Sequence, residues 1–389
     1  MAGTIKPRDA NELRQAVEWA LNDGKTLDVR GQGSKTVLGK PMACDQVLDL
    51  SGLSGVVDYA PEELVVTLRA GTAMRDVEAL LAQRNQMLAF EPPDLGPLLG
   101  REAGQGTLVG AVMGNLAGPR RLSAGAARDH LLGFSGVNGR GEAFKSGGKV
   151  MKNVTGYDLS KLLAGSWGTL AVVDQVSVKV LPAPDQTRTL MLLGLADEAA
   201  VKAMCAAMGS PHDVSGAAHL PGRTALRLEG VAPSVEARLK ALCELLADSG
   251  AKMEELGTLE SRAFWREVRD VAPLKATPDA VVWKISCPPT EGPVIVARIR
   301  EKRPATEVFY DWSGGLLWLA LPKSADADHR IVRDAIGVRG GHATLIRASE
   351  AVRAAVPVFQ PQPAALAALA SRVKESFDPK RLFNPGRTG

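Results

Sequence analysis

The chain has 389 residues, enough for two or three domains at ~150 residues each. Hydrophobic residues make up 45% and charged residues 23%, which excludes large-scale disorder. Its 47 basic and 43 acidic residues leave a net charge of +4, too small and too evenly spread to point to nucleic acid or an anionic membrane surface. The first residues hold no apolar run of the kind a secretory signal needs, and no apolar stretch approaches the ~18 residues that cross a bilayer. Cys44, Cys205, Cys243 and Cys287 lie far apart with no CxxC spacing, so neither an iron–sulfur cluster nor a zinc knuckle is expected from local sequence. Isolated thiols of this kind fit a reducing cytoplasm.

Taken in chain order, Asp9 with Glu12 resembles a capping box, and Leu13, Val17, Ala20 and Leu21 follow at helical spacing up to Gly24. Strands are expected over 26–30, 47–50 and 64–68, then a helix over about 72–84. Residues 92–125 are rich in glycine and proline, and a loop of that length in a compact domain usually carries function. A hairpin is expected over 131–144 with its turn at Gly139–Gly141, a short helix over 158–164 and a long strand over 170–181. Pro182-Ala183-Pro184 reads as a linker, which divides the chain into domains 1–181 and 182–389.

The second domain repeats one order of elements. Strand 187–195, helix 197–208, strands 214–219 and 224–230, helix 234–249 and strand 251–257 form a βαββαβ unit. After a helical link near 259–270, strand 280–287, helix 291–302, strands 305–312 and 315–321, helix 324–336 and strand 341–347 repeat it. Each unit is ferredoxin-like. In helix 234–249, Ser234 is the expected cap and Gly250 the stop, while Cys243 reads as core. A last helix over 364–377 leads into a tail.

Two glycine-rich segments carry the functional reading. In Arg30-Gly31-Gln32-Gly33-Ser34, closely spaced glycines after a strand let consecutive N–H groups converge on a phosphate or pyrophosphate. An ordinary strand-to-helix turn is the other reading. Thr36 stands where a Rossmann fingerprint needs its third glycine, and no GxxxxGK[ST] occurs, so nicotinamide and nucleotide-kinase readings lose their usual support. In the second segment, Gly106 to Asn115, Thr107 is a helix cap and the glycines allow a ligand to approach the backbone; tight helix packing is the competing use of them. Two such segments ~75 residues apart suit an elongated dinucleotide.

These segments, VRGQGSKT (29–36) and GTLVGAVMGNLAGPRRLSAGAARDHLLG (106–133), together with LRAGT (68–72), MKNVTGYDLSKLLAGSWGTLAVV (151–173) and FDPKRLFNPGR (377–387), resemble the vanillyl-alcohol-oxidase/PCMH-type FAD-binding superfamily. Within it, the chain is similar over nearly its whole length to the FAD-binding subunits of bacterial glycolate oxidases, including GGHATLIRA (340–348). The resemblance implies an α+β fold: a two-part PCMH-type FAD domain, then an FAD-linked oxidase C-terminal-like domain of duplicated ferredoxin-like units, with a tail (371–389) returning to the FAD domain. It implies that Arg30, Gly31, Gln32, Gly33 and Ser34 hold the FAD pyrophosphate. Pro92, Gly106, Thr107, Gly110 and Asn115 would line the flavin and ribityl side, and Gly125, Asp129 and Val173 would complete the cofactor bed.

Two departures from the superfamily pattern matter. Members with covalent flavin often carry RGGGH, and Ser34 stands in place of that histidine, so non-covalent FAD is expected. Metal-dependent members carry a motif like HPGDGNLH and a Glu-His pair. His212 and His219 share only the spacing, in HDVSGAAH, and no Glu-His dipeptide occurs, so no metal site is expected.

The function implied is oxidation of glycolate or a similar 2-hydroxy acid within a multi-subunit oxidase. A catalytic flavoprotein subunit and an iron–sulfur subunit would be partners, and any membrane contact would come through them. Two other readings stand beside it. A stand-alone FAD-dependent D-2-hydroxy-acid dehydrogenase would use Arg120, Arg121 or Arg128 on the carboxylate. A non-catalytic scaffold subunit would keep the fold alone. Lys152 or Arg128 is a candidate for charge beside the flavin, and His342 for a place facing it.

Overall fold

The computed structural model describes residues 3–148, 157–275, 277 and 279–388. Two units share the chain: residues 1–117, 125–183 and 361–389 form the first, and residues 118–124 and 184–360 the second. The main crossing falls after Ala183, close to the expected boundary, and the tail rejoins the first unit from residue 361. Pro182 is not linker, because Leu181–Pro182 pairs antiparallel with Gln86–Met87. Nothing in the glycine-rich sequence marks residues 118–124 as part of the second unit.

The first unit holds two main sheets. Gly3–Ile5, Gln46–Asp49 and Leu27–Arg30 form a parallel three-stranded sheet in that order. Val56–Ala60, Val65–Arg69, Ala171–Lys179, Leu131–Asn138 and Ala143–Gly147 form an antiparallel five-stranded sheet in that order. Helix Ala10–Asn22 buries Leu13, Ala16, Val17 and Ala20, and Asp9 caps it by accepting from the Asn11 and Glu12 N–H groups. The capping box is not closed, because the Glu12 carboxylate accepts from the Arg8 N–H at 2.9 Å and from the Arg8 guanidinium. In the hairpin, the Asn138 side chain accepts from the Arg140 and Glu142 N–H groups at 2.9 and 3.1 Å, which makes the turn with the glycines beside it.

The tail is built into this unit. Helix Ala364–Phe377 ends at Asp378, whose fully buried carboxylate accepts from the Leu382 and Phe383 N–H groups and pairs with Lys374. Phe383 bridges to Leu27 and is completely buried. The Asn384 N–H donates to the Leu27 carbonyl, and the Asn384 Oδ1 accepts from the Val29 N–H at 2.8 Å.

The second unit is one antiparallel eight-stranded sheet. Its order is Lys252–Leu256, Gln186–Leu193, Arg223–Gly230, Gly216–Leu220, Glu307–Asp311, Leu316–Leu321, Val281–Ser286, His342–Arg347. Each βαββαβ half orders its strands 4-1-3-2, and the halves join edge to edge through their second strands at His219 and Tyr310. Helices Asp197–Met208, Ala232–Leu245, Gly292–Lys302 and His329–Ile336 supply apolar residues to one face, where they pack with Leu190, Leu226, Trp283 and Leu317. Helix Thr258–Arg269 covers the opposite face of the first half: its Trp265 indole donates to the Thr189 hydroxyl at 2.9 Å and lies under Arg227.

Helix Ala232–Leu245 begins earlier than the sequence implied. Val231 is its cap residue with no side-chain bond, Pro233 occupies the first turn, and Ser234 lies inside the helix. His219, read as a surface or strand histidine, is buried on its strand with Nδ1 2.8 Å from the Thr224 hydroxyl and Nε2 3.4 Å from Asp197. Cys243 packs half-buried against the core.

Candidate functional site

Strand Leu27–Arg30 delivers the chain into the turn Gly31–Thr36, and two facts fix the turn's composition. Gly33 has φ +76°, a left-handed conformation that a branched residue adopts only with strain. Gly31 is pressed against the second glycine-rich segment: a Cβ there would lie 2.8 Å from Thr107 Oγ1 and 2.9 Å from its Cγ2. Thr107 cannot yield easily, because its hydroxyl caps helix Leu108–Met113 by accepting from the Gly110 N–H at 3.0 Å. The Gly106 carbonyl in turn accepts from the Met74 N–H at 2.8 Å, which ties the LRAGT segment to the same place. The two glycine-rich stretches, some seventy-five residues apart in sequence, therefore form one backbone-lined surface.

Lys35 brings a charge to that surface. Its Nζ donates to Ser34 Oγ at 3.3 Å and lies 3.5 and 3.8 Å from where a Cβ on Gly106 and on Gly110 would sit. Burial pulls its pKa down to about 8; Asp94 opposes this and Arg387 adds to it. Arg387 comes from the tail. It donates from Nη2 to the Lys35 carbonyl at 2.8 Å and lies 5.6 Å from the Trp167 ring centre. Asn384 donates from Nδ2 to the Trp167 carbonyl at 2.9 Å.

A cleft of about 90 Å³ opens between these groups, bounded also by Val109, Met113 and Val173. A second cleft, of about 550 Å³, lies on the other flank of Arg30–Gly33 and reaches Asp49, Ser51, Arg75 and Gln105. An extended ligand can thus pass around the glycine turn. The chemistry offered is glycine-rich main chain, a desolvated ammonium and a guanidinium, which together suit a diphosphate between two larger groups.

Of the residues the sequence singled out, Arg30, Gly31, Gln32, Gly33, Ser34, Thr107, Gly110 and Val173 all line the first cleft, and Gly106 adjoins it. Arg30 is drawn aside by its own neighbour: the Asp28 carboxylate accepts from its Nε at 2.8 Å, which raises the guanidinium's pKa. Pro92, Asn115, Gly125 and Asp129 do not line either cleft. Pro92 is buried in its loop. The other three build a local cap. Asn115 Oδ1 accepts from the Arg128 N–H at 3.0 Å, and Asp129 accepts from the Ala126 N–H at 2.9 Å just after Gly125. Asp129 also pairs with Lys161 at 3.2 Å; burial works against its charge, but the Ala126 N–H and Lys161 hold its carboxyl below the usual range. Lys152 lies outside the described residues.

The sequence reading passed over Lys35, Trp167 and Arg387. The available signals were a lysine directly after the glycine turn and the cation at the end of the FDPKRLFNPGR segment. Of the three arginines considered for a carboxylate, Arg120 makes a two-point ion pair with Glu229, Nε–Oε2 2.8 Å and Nη2–Oε1 2.5 Å. Arg121 lies 4.8 Å from the Trp312 ring centre. Among the described residues no group of three or more His, Cys, Asp or Glu side chains is placed to hold a metal.

The family described as FAD binding domain matches residues 1–147. The chain is 35% identical over 376 residues to the glycolate oxidase subunit GlcE of Escherichia coli, covering 96% of each chain. It is 29% identical over 190 residues to the glycolate oxidase subunit GlcD of Bacillus subtilis, covering 49% of this chain and 39% of that one. In fold it is similar to an alkyldihydroxyacetonephosphate synthase, with a TM-score of 0.69 and 14% identity, over 98% of this chain and 76% of that one.

Proposed function

We propose, from the premise that this chain belongs to the family of the glycolate oxidase subunit GlcE, that it is the FAD-binding subunit of a multi-subunit glycolate oxidase. FAD is its cofactor, and the protein is an FAD-dependent oxidoreductase acting on 2-hydroxy acids. The observation that carries the reading is the contact of Gly31 with Thr107 beside the Lys35 ammonium. It packs the two glycine-rich segments against each other and sets their main chain beside the ammonium that an anion would approach. Gly33 and its neighbours would bind the diphosphate, Lys35 and Arg387 would neutralise it, and Val109, Met113 and Val173 would exclude water. FAD, when bound, supplies a two-electron acceptor for the oxidation of the CH–OH group. The family relation and the dispersed cysteines support electron transfer onward to partners, a sister flavoprotein and an iron–sulfur subunit.

Ser34 offers a buried hydroxyl and no imidazole, which supports non-covalent binding. No described helix is long and apolar enough to cross a membrane; we place the chain in the cytoplasm, with any membrane contact made through partners. The test is direct. The purified chain should carry FAD that acid precipitation releases into the supernatant, and co-expression with its partners should give glycolate-dependent dye reduction. Colour left in the pellet would refute the non-covalent mode. A flavin-free chain, or a complex inert to glycolate, would refute the wider reading.

A further inference from the structure

The two halves of the eight-stranded sheet differ on the face turned away from the four core helices. In the first half, Arg227 is buried over Trp265 at 4.6 Å, and Glu229 lies 3.6 Å from its Nε and also accepts from Arg120. That buried cation has a carboxylate. In the second half, Lys284 occupies the same face. It is registered between Trp318 and Thr344, while its neighbours Trp283 and Ile285 point into the helical core. The Lys284 Nζ lies 5.3 Å from the Trp312 ring centre and 5.8 Å from that of Trp318. It has neither a hydrogen bond nor an ion pair with any described side chain.

More positive charge is gathered around it. Arg121 sits 4.8 Å from the same Trp312 ring. His342 stands two register positions away, opposite Ser286. Burial, then Lys284, then Arg121 keep the His342 imidazole below its usual pKa. Burial is the main influence on the Lys284 ammonium and pulls its pKa down to about 8; Arg121 adds to this and Asp311 opposes it. Two cations beside one indole repel each other, and indole faces compensate a lost hydration shell only in part. Lys284, Arg121 and Asp311 together sum to a single positive charge, which one carboxylate cancels and a phosphate dianion would overshoot.

We propose that Lys284 and Arg121, set about the Trp312 indole, form a binding site for a small monoanionic carboxylate, the class to which 2-hydroxy acids belong. The ammonium and guanidinium supply the donors, and Trp312 and Trp318 exclude water and limit size. The assignment of this carboxylate as substrate rests on the function proposed above; the site itself does not.

The test uses the FAD-loaded full chain and calorimetric titration with oxamate, a two-carbon monoanion, at fixed ionic strength. The wild-type protein should bind oxamate saturably. Lys284→Met should weaken that binding at least about tenfold, as loss of a charge-assisted bond does, and should raise the melting temperature because a desolvated charge is gone. Arg121→Gln should weaken binding with flavin content unchanged. Absence of saturable binding to the wild type, or oxamate affinity of Lys284→Met within about twofold of wild type, would overturn the site. Glycolate-dependent dye reduction by the reassembled complex separates the two readings. Turnover of glycolate alongside Lys284-independent oxamate binding defeats the site and spares the function. Lys284-dependent binding in a complex inert to glycolate defeats the function and spares the site.

Discussion

Lys35 and Lys284 stand in different units, yet burial brings both to about the same pKa, near 8. Their surroundings differ. Lys35 lies among glycines, a hydroxyl and the Arg387 guanidinium, close to Gly31, where an added Cβ would meet Thr107. Lys284 lies against two indoles. Arg227 is a third buried cation, and it has an adjoining carboxylate, Glu229, which it shares with Arg120. A desolvated cation therefore does not by itself identify a ligand. What lines the space around it matters as well: main chain suits a diphosphate, the Trp312 and Trp318 indoles form only the apolar wall of the proposed carboxylate site, and an adjoining Glu marks a cation that holds the fold.

The comparison breaks most visibly at Gly31. Gly31→Val should abolish flavin retention, since its Cβ would meet Thr107 below 3 Å; normal visible absorbance of flavin in the folded variant would remove the diphosphate assignment. Glu229→Gln should be the costliest change to stability, on the order of 3–5 kcal/mol, because it strands two buried guanidinium groups. Thermal or denaturant unfolding measures it. Burial alone would raise the Glu229 carboxyl, but Arg227 and Arg120 hold it at about 2. Its contribution is thus complete above the unfolded carboxyl range and is lost as the pH falls towards 2, a slope that Glu229→Gln should flatten.

Lys35→Met should weaken FAD binding roughly tenfold to a hundredfold, the loss of a charge-assisted contact. In the flavin-free wild type, native Lys35 releases its proton at about 8, before the unfolded chain does at the ordinary value of 10.5. Stability of the flavin-free protein should therefore rise with pH across that interval, and FAD affinity should fall over it. Both trends should shrink in Lys35→Met, as flavin fluorescence and melting curves can show. The smallest effect is expected at Cys243→Ala: about 1 kcal/mol of stability, with flavin content unchanged.

Much of this architecture was legible. Helix Asp197–Met208 and the strands around it show because their apolar spacing matches local geometry, and the repeated order of elements gave the duplicated sheet. The glycine turn was legible because backbone conformation is written in residue type. What escaped depends on contacts distant in sequence. The local role of Asn115 and Asp129 is one such case: they accept from the Arg128 and Ala126 N–H groups, bonds that a glycine beside polar residues does not announce. Ser234 looked like a cap, but Pro233 lets the helix start sooner. Lys284 sits in an alternating strand whose pattern says only that one side is less apolar, and the indoles that desolvate it come from residues 312 and 318.

The hydrogen bond from Val29 to Asn384 joins positions 355 apart in sequence. At ~5–20 residues per second of synthesis, the strand that enters the glycine turn waits many seconds on the ribosome for its last neighbour. Prosthetic-group capture must then be a late event in the life of the nascent polypeptide, and a product that stops short of Arg387 leaves translation with an unfinished pocket wall.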